Sequence, residues 1–337
     1  MIRIIRRSAF TVLILGIFAC LLGGCSAKGE KGAQSTYKKG EETENRLITV
    51  GFSQLGSESV WRSANTVSMQ QSLTSGNGYF LIYENARQKQ ENQIKSIRSY
   101  ISQRVDYIVF SPVTETGWDT VLKEAYDAGI PVITSDRQVD VEDKNLVSAW
   151  IGGDMFAEGE KAGIWLKENT DPEENLRIAV LTGTEGSSAQ LGRSEGFSSV
   201  AETMDNWEIL GEKCGDFTMA RGKEMMEEFL KEYDEINVLV SQNDDMTFGA
   251  IQAMEEKGIV PGKDMIIISF DAVKEALEMV LDGKINVDVE CTPLLGPYVD
   301  ELIRKMEEGG EYPKDNPVDE MVFTAENVKD YLDTRTY

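Results

Sequence analysis

From Leu47 onward, short apolar runs alternate with longer segments whose apolar residues fall at helical spacing. The runs 48–52 (ITVGF), 79–84 (YFLIYE), 107–111 (YIVFS) and 131–135 (PVITS) are short, rich in β-branched and aromatic residues, and bounded by turn formers, as buried parallel strands are. Between them, Ile94, Ile97 and Ile101 stand at i, i+3 and i+7 of a helix over 90–103, and 118–128 forms a second amphipathic helix. A fifth strand is expected near 146–151. A second series follows, with strands at 177–182, 207–214, 238–241, 265–270 and 285–291 and helices at 192–204, 220–233 and 248–257. Strand–helix alternation of this kind winds into a doubly wound parallel sheet with right-handed crossovers. Two such series predict an α/β protein of two Rossmann-like lobes facing one cleft.

The chain before Leu47 has another character. Arg3, Arg6 and Arg7 precede a nearly unbroken apolar run from Ala9 to Leu22. That run is shorter than the roughly 20 residues a membrane-spanning helix needs, and it reads as an export signal. Leu22-Gly23-Gly24-Cys25 resembles the lipobox of bacterial lipoproteins, which implies cleavage after residue 24 and a lipid on Cys25. Residues 25–46 are polar, charged and without apolar period, and are expected to be a flexible tether. The protein is thus expected outside the cytoplasm, held to the cell membrane by its N-terminal lipid.

Composition removes several function classes. The 337 residues carry a formal charge of −24, so a nucleic-acid partner is not expected, since phosphate binding needs clustered Lys and Arg. Such acidity favours a soluble monomer. The absence of histidine removes the commonest general base and the commonest metal ligand, and no metal or cofactor is expected. Of the four cysteines only Cys214 and Cys291 fall in the folded part, and both are expected to be unpaired.

In open α/β sheets ligands sit outside the carboxyl ends of the strands. Glu58, Trp61 and Arg62 follow the first strand, Asp136 and Arg137 the fourth, and Arg193 comes after 177–182. Phe217 follows 207–214, Asn243 follows 238–241, Asp271 follows 265–270, and Glu290 closes the last strand. Any one of these residues could be a helix cap or a surface ion pair; Thr218 and Asp245 are expected to be caps. Recurrence at so many strand ends favours a site. A sugar hydroxyl both donates and accepts, so carboxylates and guanidinium groups satisfy it together, while an aromatic ring such as Trp61 or Phe217 covers the C–H face. Competing motifs fail. Gly51–Ser57 approaches a phosphate loop but lacks its lysine. Asp136 and Asp271 imitate a glycosidase pair, yet Arg137 beside Asp136 favours the ionised form over proton donation.

Three stretches in the first half, 50–62 (VGFSQLGSESVWR), 87–113 and 116–140 (ending SDRQVD), and three in the second, 215–230 (GDFTMARGKEMMEEFL), 241–264 (SQNDDMTFGA…) and 270–297, resemble the ribose/galactose-type sugar-binding proteins of ABC importers. The resemblance covers about residues 47–310. It implies a type I periplasmic-binding-protein fold in which three crossings, near 150, 291 and 318, join a lobe of 47–150 plus 292–317 to one of 151–291 plus 318–337. It implies further that Glu58, Trp61, Arg62, Asp136, Arg137, Arg193, Phe217, Asn243, Asp271 and Glu290 hold a monosaccharide, and that an ABC permease and its ATPase are partners. Ribose-type members carry aromatics in the first loop and an amide at the last position. Charged Glu58, Arg62 and Glu290 here point to a hexose, as in the galactofuranose-binding branch. The expected role is a non-enzymatic receptor; sugar sensing for a membrane histidine kinase is the alternative. DNA-binding repressors of the same fold carry a helix-turn-helix where this chain has its export signal.

Overall fold

The computed structural model describes residues 46–337; the expected export signal, Cys25 and the expected tether up to residue 45 lie outside the described residues. Two six-stranded sheets organise the rest. The first holds β1 (Ile48–Gln54), β2 (Tyr79–Asn85), β3 (Tyr107–Phe110), β4 (Val132–Ser135), β5 (Ala149–Gly152) and, far along the chain, β11 (Asp315–Pro317). Their spatial order is β11-β5-β4-β3-β1-β2, all parallel. The second holds β6 (Leu176–Thr182), β7 (Trp207–Cys214), β8 (Val238–Ser241), β9 (Ile266–Asp271), β10 (Val287–Glu290) and β12 (Val322–Phe323). Its order is β12-β10-β9-β8-β6-β7, parallel except where β12 meets β10. The chain therefore passes between sheets three times: after β5, after β10 and between β11 and β12. These are the two lobes and three-segment hinge of a type I binding-protein fold.

Strand composition accounts for both sheets. All four residues of β3 (YIVF), β4 (VITS) and β8 (VLVS) are buried, because helices cover both faces. In the first lobe one face packs Val50, Phe52 and Ile133 against Met69, Val299 and Ile303. The other packs Ile108, Phe110 and Val132 against Ile97, Tyr100, Trp118 and Leu122. The second lobe repeats the plan, with Leu181, Leu239 and Ile267 against Met226, Phe229, Met254 and Leu277 on one face, and Val180, Val240 and Ile268 against Leu166 and Phe197 on the other.

The helices predicted at 90–103 and 118–128 are α2 (Gln90–Gln103) and α3 (Asp119–Asp127). Two in the second lobe begin four residues earlier than predicted, because polar caps and not apolar residues start them. Ser187 accepts from the Gln190 amide to open α5 (Ser188–Ala201), and Asn243 accepts from the Met246 amide to open α7 (Asp244–Glu256). The helix predicted at 220–233 is α6 (Met219–Glu232), capped by Thr218 as expected. Four further helices lie outside the predicted set: α1 (Val60–Ser72), α4 (Met155–Asn169), α8 (Lys274–Leu281) and α9 (Gly296–Glu307). Helix α9 packs beside α1, where the Gly296 amide donates to Ser68 Oγ (3.0 Å) and Asn65 Nδ2 to the Pro293 carbonyl (3.0 Å). Among the described residues no helix is long and apolar enough to cross a membrane. Cys214 and Cys291 are both free thiols.

Helix α4 carries no wide apolar stripe because it packs through its glycines. It lies so close to α5 that a Cβ on Gly196 would overlap the Phe156 carbonyl, and one on Gly159 the Arg193 carbonyl. Neither helix can retreat without moving Arg193. Gly196→Ala should therefore cost about 1–3 kcal/mol or more of stability through overpacking. Urea denaturation of the two proteins measures this; an unchanged midpoint would show that the contact relaxes freely.

Candidate ligand-binding site

In each sheet the strand order reverses beside the first strand of its lobe, at β1/β3 in the first and β6/β8 in the second. Crevices outside carboxyl strand ends open at such points, and here the two crevices face one another. Nine of the ten predicted residues, Glu58, Trp61, Arg62, Asp136, Arg137, Arg193, Phe217, Asn243 and Asp271, line one cavity of about 290 Å³ together with Ser59, Ala189 and Cys291. Only about 20 Å³ of that space is wide enough for a water molecule, so the two walls stand close together. A wider hollow at the amino ends of β6, β8 and β9, lined by Asn175, Arg177, Tyr233 and Ile259 among others, is open surface without converging buried charge.

The first-lobe wall is built around Arg62. It lies on the first turn of α1 and not in a loop, because Ser59 caps the helix there by accepting from the Arg62 amide (3.0 Å). Its Nε donates to Glu58 Oε1 (3.0 Å), while Nη1 reaches Asp136 Oδ2 (2.7 Å) and Ser111 Oγ (3.3 Å). Trp61 donates its indole N–H to the Cys291 carbonyl on the second crossing (2.6 Å). Arg137 is only 2% exposed, so it is no surface ion pair. Its Nη1 donates to the Val113 carbonyl (3.0 Å), its Nε has no acceptor, and among the described residues no carboxylate pairs with it. Burial first, and then the neighbouring Arg62 charge, push the Arg137 guanidinium down to about 10.

The second-lobe wall mirrors this around Arg193. Its Nε donates to Glu158 Oε2 (2.7 Å), Nη2 to Asp271 Oδ1 (3.0 Å) and Nη1 to the Gln242 carbonyl. Asn243 lies at the cavity and also caps α7, and its Nδ2 donates to the Phe217 carbonyl (3.3 Å). The Phe217 ring sits against Gly183, where a Cβ would fall inside the ring, and 5.1 Å from the Arg137 guanidinium across the cleft. Asp245, expected to cap its own helix, instead accepts from the Val60 amide of α1 in the opposite lobe (3.1 Å), and burial pushes its carboxyl up to about 6. The lobes touch again where the Glu115 amide donates to the Gly186 carbonyl (2.8 Å) and the Gln138 amide to Ser188 Oγ (2.9 Å).

Glu290 is not at the cavity. Its carboxylate accepts from Arg335 Nη1 (2.7 Å) and the Met321 amide (3.1 Å), tying the C-terminal tail to the end of β10. Its carboxylate is therefore engaged by the tail and does not line this cavity.

Several residues of the site carried no local signal. Gln93, on α2, holds the loop after β3 by donating to the Ser111 carbonyl (2.7 Å) and accepting from the Val113 amide (3.0 Å). Asp271 and Ala272 take positive φ, 105° and 56°, and two buried carboxyls hold that turn. Asp244 accepts from the Val273 amide (2.8 Å) and Ser269 Oγ (2.6 Å), and Asp288 from the Ala272 amide (3.1 Å).

The chain belongs to the periplasmic binding proteins, whose domain model matches residues 50–290. Its relatives within that family are sugar-binding receptors, and the chain is a receptor and not an enzyme. It is 39% identical to the galactofuranose-binding protein YtfQ of Escherichia coli, over 86% of this chain and 91% of that one. A Mycobacterium smegmatis protein solved with β-D-fucofuranose superposes with a TM-score of 0.83 at 41% identity, covering 86% of this chain and 96% of its own. The arabinose-transporter binding protein of Shewanella sp. ANA-3, solved with α- and β-L-arabinofuranose, superposes at 0.81 with 41% identity, covering 86% and 95%.

One acid of the pair beneath Asp271 titrates in an accessible range. Burial pushes the Asp288 carboxyl up to about 7. A carboxyl raised from its ordinary acidic range gives its full stabilisation below that range and loses it as pH rises through the folded-state value, here near 7. Asp288→Asn keeps an oxygen for the Ala272 amide and cannot ionise. Its melting temperature relative to wild type should therefore be higher at pH 8 than at pH 5.5. Thermal melts at the two pH values check this; an equal gap at both refutes it.

Proposed function

We propose that this chain is an extracytoplasmic, lipid-anchored receptor that captures a monosaccharide, a hexofuranose of the galactofuranose kind, between its lobes and delivers it to an ABC importer. The observation that carries the reading is the unmatched hydrogen bonding at the cavity. Arg137 Nε is buried without an acceptor, and Glu58 Oε2 is buried without a donor. A hydroxyl supplies both, accepting from the guanidinium and donating to the carboxylate. Trp61 and Phe217 add apolar surface for ring carbons. The names of the relatives support the furanose form, since galactofuranose, fucofuranose and arabinofuranose share a five-membered ring. The lipobox-like run ending in Cys25 supports the anchor.

A thermal-shift screen of residues 26–337 against pentoses, hexopyranoses and hexofuranoses tests the ligand class, because a ligand at one hundred times its dissociation constant adds about 2.7 kcal/mol. Galactofuranose should give one of the largest shifts. Calorimetric titration with the best sugar then tests the residues. Asp271→Ala leaves the buried Arg193 guanidinium short of a hydrogen bond, a loss of roughly 2–5 kcal/mol, and Arg137→Ala removes the charged donor that the sugar would satisfy, a loss of about 2 kcal/mol or more. Affinity should fall about 30-fold or more. A loss under about threefold in both variants would place the sugar elsewhere. Cys25→Ala should move the protein from the membrane fraction to the soluble one; a variant that stays membrane-bound refutes the lipid anchor.

A further inference from the structure

Behind Arg193, and bordering the cavity through Cys291, lies a second acid pair at the meeting point of the three crossings. Glu158 stands on the first turn of α4, directly after the first crossing, and is fully buried. Glu320 belongs to the third crossing, and its Oε1 accepts from the Thr292 amide on the second (2.9 Å). The Glu158 and Glu320 carboxyls and the Cys291 thiol present their side-chain atoms within 4.8 Å of one another. Gly153, on the first crossing, makes room for them, since a Cβ there would lie 2.5 Å from both Glu320 oxygens and 2.6 Å from Glu158 Oε1. Glu158 Oε2 is taken by Arg193, while Glu158 Oε1 faces this cluster with no donor.

We propose that Glu158 and Glu320 share one proton, and that this singly charged pair is the positioning device that holds Arg193 against the cleft and ties it to all three hinge segments. Two carboxylates in contact within a water-poor interior cannot both stay ionised; one proton between them removes the repulsion and supplies the donor that Glu158 Oε1 lacks. The remaining single negative charge is what the Arg193 guanidinium needs on its Nε side. The groups facing the pair agree. They are Arg193 from α5, Cys291 and the Thr292 amide from the second crossing, and, beyond Arg193, Asp271 from β9. Lys161 of α4 donates to the Glu320 backbone carbonyl (3.0 Å), so it braces the crossing without neutralising the carboxyl. Burial first, and then Glu158, push the Glu320 carboxyl up to about 10, so the proton stays through the neutral range.

The charge is shared, so replacing either acid leaves it on the other. In Glu320→Gln the amide donates to an ionised Glu158. In Glu158→Gln the side-chain oxygen accepts from Arg193 Nε while the amide donates to an ionised Glu320. Each single variant should therefore bind sugar within about threefold of wild type. The double variant Glu158→Gln/Glu320→Gln has no charge on this side of Arg193 and should bind at least about tenfold more weakly, far outside additivity for independent sites. This arm rests on the receptor reading. A second arm does not: thermal melts without sugar from pH 5 to pH 9. A carboxyl raised in the folded state loses its stabilisation as pH rises toward the folded value. Wild type should thus lose melting temperature relative to each single variant as pH climbs from 5 to 9. If melts behave so while no sugar binds, the proton pair stands and the receptor reading fails. A pH-independent gap, or single variants that each lose as much affinity as the double, would overturn the proposal. So would a wild-type melting temperature that drops with EDTA and recovers with zinc, which would put a cation where the proton is placed.

Discussion

Burying three guanidinium groups around one cleft is the constraint from which the rest follows. Arg62, Arg137 and Arg193 are each under 5% exposed. An uncompensated buried ion costs several kcal/mol, so each arginine dictates what surrounds it. Arg62 fixes the loop after β1, the start of α1 and the ends of β3 and β4 through Glu58, Ser111 and Asp136. Arg193 fixes the starts of α4 and α5 and the ends of β8 and β9 through Glu158, Gln242 and Asp271. Each lobe has one fully paired arginine at its switch point. Arg137 alone is left with a carbonyl and the face of an aromatic ring. The same charges that shape the two crevices thus leave one cation whose needs the protein does not meet by itself.

Backbone strain collects at the same places. Asp136, Asp216, Phe217, Asp271 and Ala272 all take positive φ, and none is glycine. Such residues cost of order 1–3 kcal/mol each and persist only where their surroundings over-determine them. Here the determinants are specific. The Trp150 indole donates to the Asp136 carbonyl (3.1 Å), Asn243 donates to the Phe217 carbonyl (3.3 Å), and Asp244 and Asp288 accept from the amides after Asp271. A strand end that turns abruptly puts its side chain into the crevice instead of along the sheet. The buried polar residues beneath the cavity are therefore tools for aiming the residues above them.

Much of this was legible in the sequence, and the boundary between the legible and the hidden is physical. Parallel strands buried on both faces announce themselves as β-branched runs, so 238–241 was read as a strand to the residue. Helices with a wide apolar stripe, such as α2, were equally plain. Helix α4 was not, because its inner face is made of Gly159, Ala162 and Gly163, where closeness and not hydrophobicity does the packing. The cavity residues were found because strand ends in this architecture converge. Glu290 also ends a strand, but β10 lies next to the short antiparallel β12, and its side chain pairs with the tail. Glu158 and Glu320 are 162 positions apart in number and meet only because three crossings pass one point; no spacing rule links them.

The two ends of the described chain are moored to different lobes. At the N-terminal end, Arg46 pairs with Asp106 beside the first sheet (2.7 Å). At the other end, the Tyr337 carbonyl accepts from the Lys274 amide at the start of α8, and Arg335 grips Glu290. Anything fused at these two points therefore rides on opposite sides of the hinge. A pair of fluorescent proteins placed there would turn any change in the angle between the lobes into a change of resonance energy transfer, provided the C-terminal partner is joined through a linker that leaves the Arg335 clasp intact.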